Sequence, residues 1–197
     1  MRPASEPGAL VLGSTSRYRR ELLERLGLPF AVDRPEVDES PRSGEVPADL
    51  VVRLAREKAQ AVAARHRGAW VIGSDQLAEF DGRPLGKPGG RDGALAQLAA
   101  MSGREVLFLT GVCLLRDDAP PMLHLDRTRV RFRVLAPDEI ERYVDAETPY
   151  DCAGSFKSEG LGIALFDAIE TVDPTALIGL PLIATAGLLR GAGFSLP

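Results

Sequence analysis

Two continuous apolar runs, Ala9-Leu-Val-Leu-Gly13 and Ala69-Trp-Val-Ile-Gly73, constrain the fold more than any other feature of the sequence. Each is short and apolar throughout, without alternation. Such runs read as buried strands. Hydroxyl residues follow at once, Ser14-Thr-Ser16 in one case and Ser74 in the other. The segments between the runs have helical period instead. Arg19 to Leu28 places Leu22, Leu23, Leu26 and Leu28 among charged positions, and Pro47 to His66 carries the stripe Leu50, Val51, Leu54, Ala55, Ala59, Val62 and Ala63. These are amphipathic helices. A further strand begins at Phe30 to Asp33, and Pro35 to Pro41 forms an acidic loop bracketed by prolines.

The second half repeats the mixture. Asp81-Gly82 is a hairpin signal leading back to Gly86-Lys-Pro88. Asp92 to Met101 reads as a helix, and Glu105–Arg116 and Met122–Leu135 as two strands joined by a turn at 117–121. In the second strand Val130, Phe132 and Val134 alternate with arginines at 129, 131 and 133, which predicts one buried and one solvated face. A helix over Pro137–Asp145, a Gly-rich polar loop over Tyr150–Gly162, a strand over Ile163–Ile169 and an apolar helix over Leu180–Leu189 complete the chain. Interleaved helices and strands predict an α/β fold with a mixed sheet. Residues 1–8 read as a loose leader and 9–197 as a single domain.

The chain of 197 residues carries a net charge of −4 and a pI near 5.3. That argues against a general nucleic-acid binder but leaves room for a small anionic ligand in a locally basic pocket. No apolar run reaches membrane-spanning length, and cytoplasm is the expected location. Cys113 and Cys152 form neither a metal spacing nor a disulfide framework, so both read as reduced structural thiols.

Four clusters carry candidate chemistry. Ser14-Thr-Ser-Arg-Tyr-Arg-Arg20 puts hydroxyls and arginines where a strand gives way to a helix. The helix N-terminus and the arginine forks suit phosphate, although Ser/Thr caps and solvated arginines are also common. Glu36, Asp38 and Glu39 place three carboxylates in four residues, enough to hold a hard divalent cation, or simply to be solvated. Asp75, at the end of an apolar strand, sits where α/β sheets place ligands. It could bind metal, take a proton from water, or cap a turn. Lys58, Lys87 and Lys157, with Glu159, form the fourth cluster, each cation able to meet phosphate oxygens or to remain solvated. Together they make up the equipment of metal-assisted phosphoanhydride hydrolysis. His66 and His124 offer no nucleophile triad.

In this order the clusters resemble the Maf family of nucleotide pyrophosphatases. The matching segments are Leu12-Gly-Ser-Thr-Ser16 with Arg19-Arg-Glu-Leu-Leu23, Pro35–Glu39, Leu54–Ala59, Ile72–Gln76, Gly86–Pro88, Ser102-Gly103, Thr110-Gly111, Cys152–Gly160 and Gly179–Pro181. Ser74-Asp-Gln76 and Ser155–Gly160 are similar to the branch acting on 7-methyl-GTP. The resemblance implies an α/β fold of the Maf or inosine-triphosphatase-like kind: a mixed twisted sheet flanked by helices, with two lobes around a deep nucleotide cleft. It implies hydrolysis of a nucleoside triphosphate, 7-methyl-GTP first, to the monophosphate and pyrophosphate. It also implies a divalent cation, Mg or Mn, and often a homodimer. By position it makes Asp75 the proton acceptor and places Ser14, Arg19, Lys58 and Lys87 in the phosphate and catalytic set. It gives Glu36 and Asp75 the metal, and Tyr18, Gln76 and Glu159 the choice of base. Arg17 stands where the family usually has proline, and Tyr18 where this branch usually has tryptophan. The rival readings are a pyrophosphatase for dTTP, UTP or a broader set of nucleotides, and a non-catalytic, nucleotide-binding regulator of septum formation.

Overall fold

The computed structural model describes residues 8–117 and 119–197, so the leader expected over 1–8 lies, apart from Gly8, outside the described residues. Seven strands, β1 (Leu10–Gly13), β2 (Ala31–Asp33), β3 (Trp70–Phe80), β4 (Arg83–Leu85), β5 (Glu105–Leu115), β6 (Met122–Phe132) and β7 (Phe166–Glu170), hydrogen-bond in the order β2-β1-β3-β5-β6-β7, with β4 on β3. β1 runs parallel to β2 and β3, whereas β3–β4 and β6–β7 are antiparallel, so the sheet is mixed as expected. Among the described residues five α-helices accompany it: α1 (Arg17–Glu24), α2 (Pro47–Ala63), α3 (Arg91–Met101), α4 (Pro137–Glu147) and α5 (Leu182–Gly191). Among the described residues no helix is long and apolar enough to cross a membrane.

The chain divides into two compact units. One comprises the described residues up to Gln76 with Thr110–Asp126 and Asp173–Pro197; the other comprises Leu77–Leu109 and Arg127–Val172. In the first unit the short apolar strands are buried on both faces. Leu10, Leu12, Ile72, Val112 and Leu114 pack with Leu22 and Leu23 of α1 and Leu189 of α5, while Val11, Val71, Cys113 and Leu115 pack with Ala55, Ala59, Val62 and Ala63 of α2. Strict alternation along each strand therefore feeds two cores, and a continuous apolar run is the sequence that satisfies both. In the second unit, Arg91 joins α3 to α4 through a two-point contact with Asp145 at 2.6 and 2.9 Å. Phe108, Phe132, Phe156 and Phe166 form an edge-to-face cluster with centroid spacings of 4.8 to 5.6 Å.

Several boundaries differ from the sequence reading, and four of them have a clear local cause. α1 begins at Arg17, two residues early, because Ser16 caps it, its hydroxyl accepting from Arg19 N at 3.4 Å. β3 does not end at Gly73 but continues to Phe80, since the Asp81-Gly82 turn folds β4 back onto it with Phe80 opposite Arg83. Asp75 thus lies inside a strand and not after one. β6 stops at Phe132, and Val134, expected to be buried, is 81% exposed. The pairing with β7 shifts register between Arg131 and Phe132, the strand ends there, and Val134 lies beyond it, outside the pleat that would bury it. β7 starts three residues late because Leu161–Leu165 winds into a 3-10 turn.

Candidate functional site

The site in the first unit begins with a close approach. At Gly73 a Cβ would meet Ala55 O at 2.2 Å and Ala59 N at 2.5 Å, so only glycine lets the backbone of α2 lie against β3. Ala55 and Ala59, both fully buried, keep that helix face small. The approach brings Lys58 of α2 beside Asp75 of β3. Lys58 Nζ donates to Asp75 Oδ1 at 2.7 Å and pairs with Glu39 Oε1, also at 2.7 Å. Lys58 is 6% exposed and Asp75 8%, whereas Glu39 opens to solvent. A buried ammonium needs such partners, because an unpaired charge in that position is strongly destabilising.

The end of β1 supplies the next groups. Ser14 is buried, and its Oγ accepts from Ser16 N at 3.2 Å and from Arg19 Nη1 at 3.4 Å. Arg19 Nε donates to Gly179 O at 2.8 Å, and Ser74 Oγ donates to the same carbonyl at 3.1 Å. Burial pushes the Arg19 pKa down from its ordinary value, and the negative charges of Asp75 and Glu39 push it back up. The guanidinium stays charged, within electrostatic reach of both carboxylates.

Gln76 is held by neutral groups. Its Nε2 faces Ala176 O at 2.8 Å, Leu177 O at 2.9 Å and Thr110 Oγ1 at 3.1 Å, and Thr110 itself donates to Ala176 O at 3.0 Å. Two carbonyl acceptors on one side of an amide settle its orientation: the nitrogen faces them and the oxygen faces away. The 176–181 segment is anchored by buried Asp173, which accepts from Thr175 N at 3.0 Å and from Ile183 N at 2.6 Å. Tyr18 is partly buried. Its hydroxyl accepts from Arg17 Nη2 at 2.8 Å, and the Arg17 guanidinium carbon lies 4.7 Å from the ring centroid.

Glu36, Asp38 and Glu39 do not act as one cluster. Glu36 is exposed, Asp38 accepts from Ser40 N at 2.9 Å, and Glu39 is the carboxylate that reaches Lys58. Their loop is clamped by Arg53 of α2. Arg53 meets Glu45 at 2.6 and 2.8 Å and Glu57 at 2.9 Å, and donates to Ser40 O at 3.1 Å. The Arg53 hydrogen bonds, with a backbone bond from Arg42, hold the Glu45 carboxyl down at about 2. Among the described residues no group of three or more His, Cys, Asp or Glu side chains could hold a metal ion. Glu39 and Asp75 do converge on a single cation, Lys58. Two carboxylates, with oxygens of phosphate and water, are a usual shell for Mg²⁺, so the donor set fits.

Lys87 and Glu159 belong to the second unit, and both are exposed. Lys157 is tied down within that unit: its Nζ donates to Glu147 O at 2.9 Å, and its backbone N donates to Tyr143 Oη at 3.0 Å. Cys113 and Cys152 are free thiols, each pushed up to about 12 chiefly by burial. The sequence reading gave no part to Thr110, the 176–179 carbonyls or Gln97. Thr110-Gly111 and Gly179–Pro181 stood among the matching segments and were the signal for the first two.

A sequence profile of the family described as Maf-like protein matches residues 9–192. A protein of Xanthomonas oryzae pv. oryzae (strain MAFF 311018) named 7-methyl-GTP pyrophosphatase is 65% identical over 189 residues, covering 95% of this chain and 98% of the relative. One of the same name from Burkholderia thailandensis is 57% identical, covering 98% and 92%. In fold, the chain is similar to the Ham1 protein of Staphylococcus aureus, with a TM-score of 0.51, 14% identity and coverage of 93% and 98%.

Proposed function

The chain belongs to the Maf family, and from that premise we propose that it hydrolyses 7-methyl-GTP to 7-methyl-GMP and pyrophosphate. The relatives named for that activity cover nearly the whole chain at 57 to 65% identity. The observation that carries the chemistry is the chain Glu39–Lys58–Asp75, with Lys58 and Asp75 buried, Glu39 open to solvent and both contacts at 2.7 Å. Asp75 takes the proton of the water that attacks the α-phosphorus, and the bond from that phosphorus to the bridging oxygen breaks as pyrophosphate leaves. Lys58, donating to Asp75 Oδ1 at 2.7 Å, holds that carboxylate aimed. Arg19, oriented from Gly179 O, and Ser14 meet the phosphate oxygens, and Lys87 adds a second cation. A Mg or Mn ion would be held by Asp75 and Glu39 in place of the Glu36 suggested by sequence, and would supply neutralisation of the phosphate charge.

Base choice falls to Tyr18, Gln76 and Glu159. The fixed carbonyl oxygen of Gln76 and the carboxylate of Glu159 are acceptors suited to the N1–H and N2–H₂ edge of guanine. The Tyr18 ring suits a cationic methylated base.

Pyrophosphate release with Mg²⁺ or Mn²⁺ across 7-methyl-GTP, GTP, UTP, dTTP and CTP tests the reading. Preference for 7-methyl-GTP is expected. Turnover centred on UTP or dTTP would overturn the substrate, and nucleotide binding without turnover would favour a regulator. Asp75→Asn is expected to lower kcat by about 10³-fold or more with folding retained. An active Asp75→Asn enzyme removes Asp75 from the base role.

A further inference from the structure

The segment Cys152–Gly160 contains a serine that the proposed chemistry does not use. Ser155 is fully buried and has φ 60°, a left-handed conformation that non-glycine residues rarely adopt. Such a conformation is strained and persists only where surrounding contacts require it. Its hydroxyl donates to Gln97 Oε1 at 2.5 Å. With its oxygen so engaged, the Gln97 amide presents Nε2 on its other side, where it donates to Gly86 O at 3.0 Å. Gly86 is the residue before Lys87.

A second contact fixes the same loop. At Gly93 of α3 a Cβ would meet Pro88 O at 2.2 Å, so the helix backbone presses directly on the residue after Lys87. The carbonyls of both residues flanking Lys87 are therefore held from α3, one by the Gln97 amide and one by direct packing. Lys87 itself is exposed, and its stem is long and flexible, so its reach is set by where its backbone is held.

We infer that Gln97, locked in orientation by Ser155, is a positioning residue for Lys87. This rests on the proposed role of Lys87 at the phosphates. The relay is neutral and lies wholly within the second unit. Small misplacements of a charge-stabilising group are costly to rate, so losing the relay lowers kcat rather than raising KM.

A double-mutant cycle on the full chain tests it, using Lys87→Ala, Gln97→Ala and the pair, with kcat and KM for 7-methyl-GTP and melting midpoints measured in parallel. Gln97→Ala is expected to lower kcat about tenfold in the wild-type background and less than twofold in the Lys87→Ala background. Equal losses in both backgrounds would overturn the relay. An unchanged kcat in Lys87→Ala would overturn the role of Lys87, and the relay with it, while leaving Asp75 and Lys58 untouched. If Gln97→Ala fails to fold, Ser155→Ala, which deletes one hydroxyl, runs the same cycle. It is expected to show a loss of about threefold that also vanishes without Lys87.

Discussion

Two irregular loops of the molecule are held by opposite physics. Residues 34–46 are pinned by charge. Arg53 grips Glu45, Glu57 and Ser40 O, Arg42 pairs with Glu57, and Lys58 takes Glu39. Residues 150–162 are pinned mainly by apolar packing and backbone-directed bonds. Phe156 sits in the four-ring cluster, Tyr143 Oη accepts from Lys157 N, and Glu147 Oε2 accepts from Leu161 N at 2.8 Å. A loop held by ion pairs can be loosened by salt and responds to small displacements. One held by burial of aromatic rings resists both and loosens only with its core. The charge-held loop is the one that delivers a carboxylate to Lys58, and the packed loop is the one that carries the Ser155 hydroxyl.

The comparison breaks most visibly at Phe156. Phe156→Ala is expected to cost about 3–5 kcal/mol of stability, read as a shift in denaturant midpoint, because the site is enclosed by three other rings. A loss under 1 kcal/mol would mean that the rings do not hold that loop.

A smaller change in stability, with a larger one in activity, is expected from Arg53→Met, which keeps the stem and removes the fork. Loss of order in 34–46 should lower kcat/KM by about tenfold. An active variant with wild-type kinetics would show that Glu39 reaches Lys58 without the clamp.

Hydrogen exchange sharpens the contrast further. Raising ionic strength from 0.1 to ~1 M, which shortens the screening length to about 3 Å, should speed exchange across 34–46 and leave 150–162 unchanged. Equal responses would erase the distinction.

Acid should act late on the same clamp. The Glu45 carboxyl is held at about 2, against about 4.3 in an unfolded chain. A depressed carboxyl contributes stability that is fully present above its unfolded value and lost as pH falls through its folded value. The clamp should therefore survive from pH 5 to about 3 and release below that, which titration of the Glu45 carboxyl carbon by NMR would show.

The smallest effect concerns Cys152. Its thiol is pushed up to about 12 by burial and by Asp151, so alkylation at pH 8 should be slow and should speed up only when the packed loop opens. Rapid labelling of the native protein would contradict the packing described for 150–162.

Local pattern alone determined where most of the strands and helices lie. The doubly buried runs at 9–13 and 69–73 and the small-residue stripe of α2 are periodic features, and periodicity is written in neighbours along the chain. The Ser16 cap and the Asp81-Gly82 hairpin turn are equally local, although periodicity starts α1 two residues late and ends the strand leading to the hairpin early, at Gly73. Tertiary structure alone decided which of three neighbouring carboxylates meets Lys58, that Asp75 lies within a strand, that the Gln76 amide faces carbonyls 100 and 101 residues on, and that Ser155 finds Gln97 across 58 residues. In an unstructured acidic loop no period distinguishes Glu36 from Glu39. That choice depends on where Arg53 grips the chain, and the approach of α2 to Gly73, which places Lys58, is settled only when backbones pack.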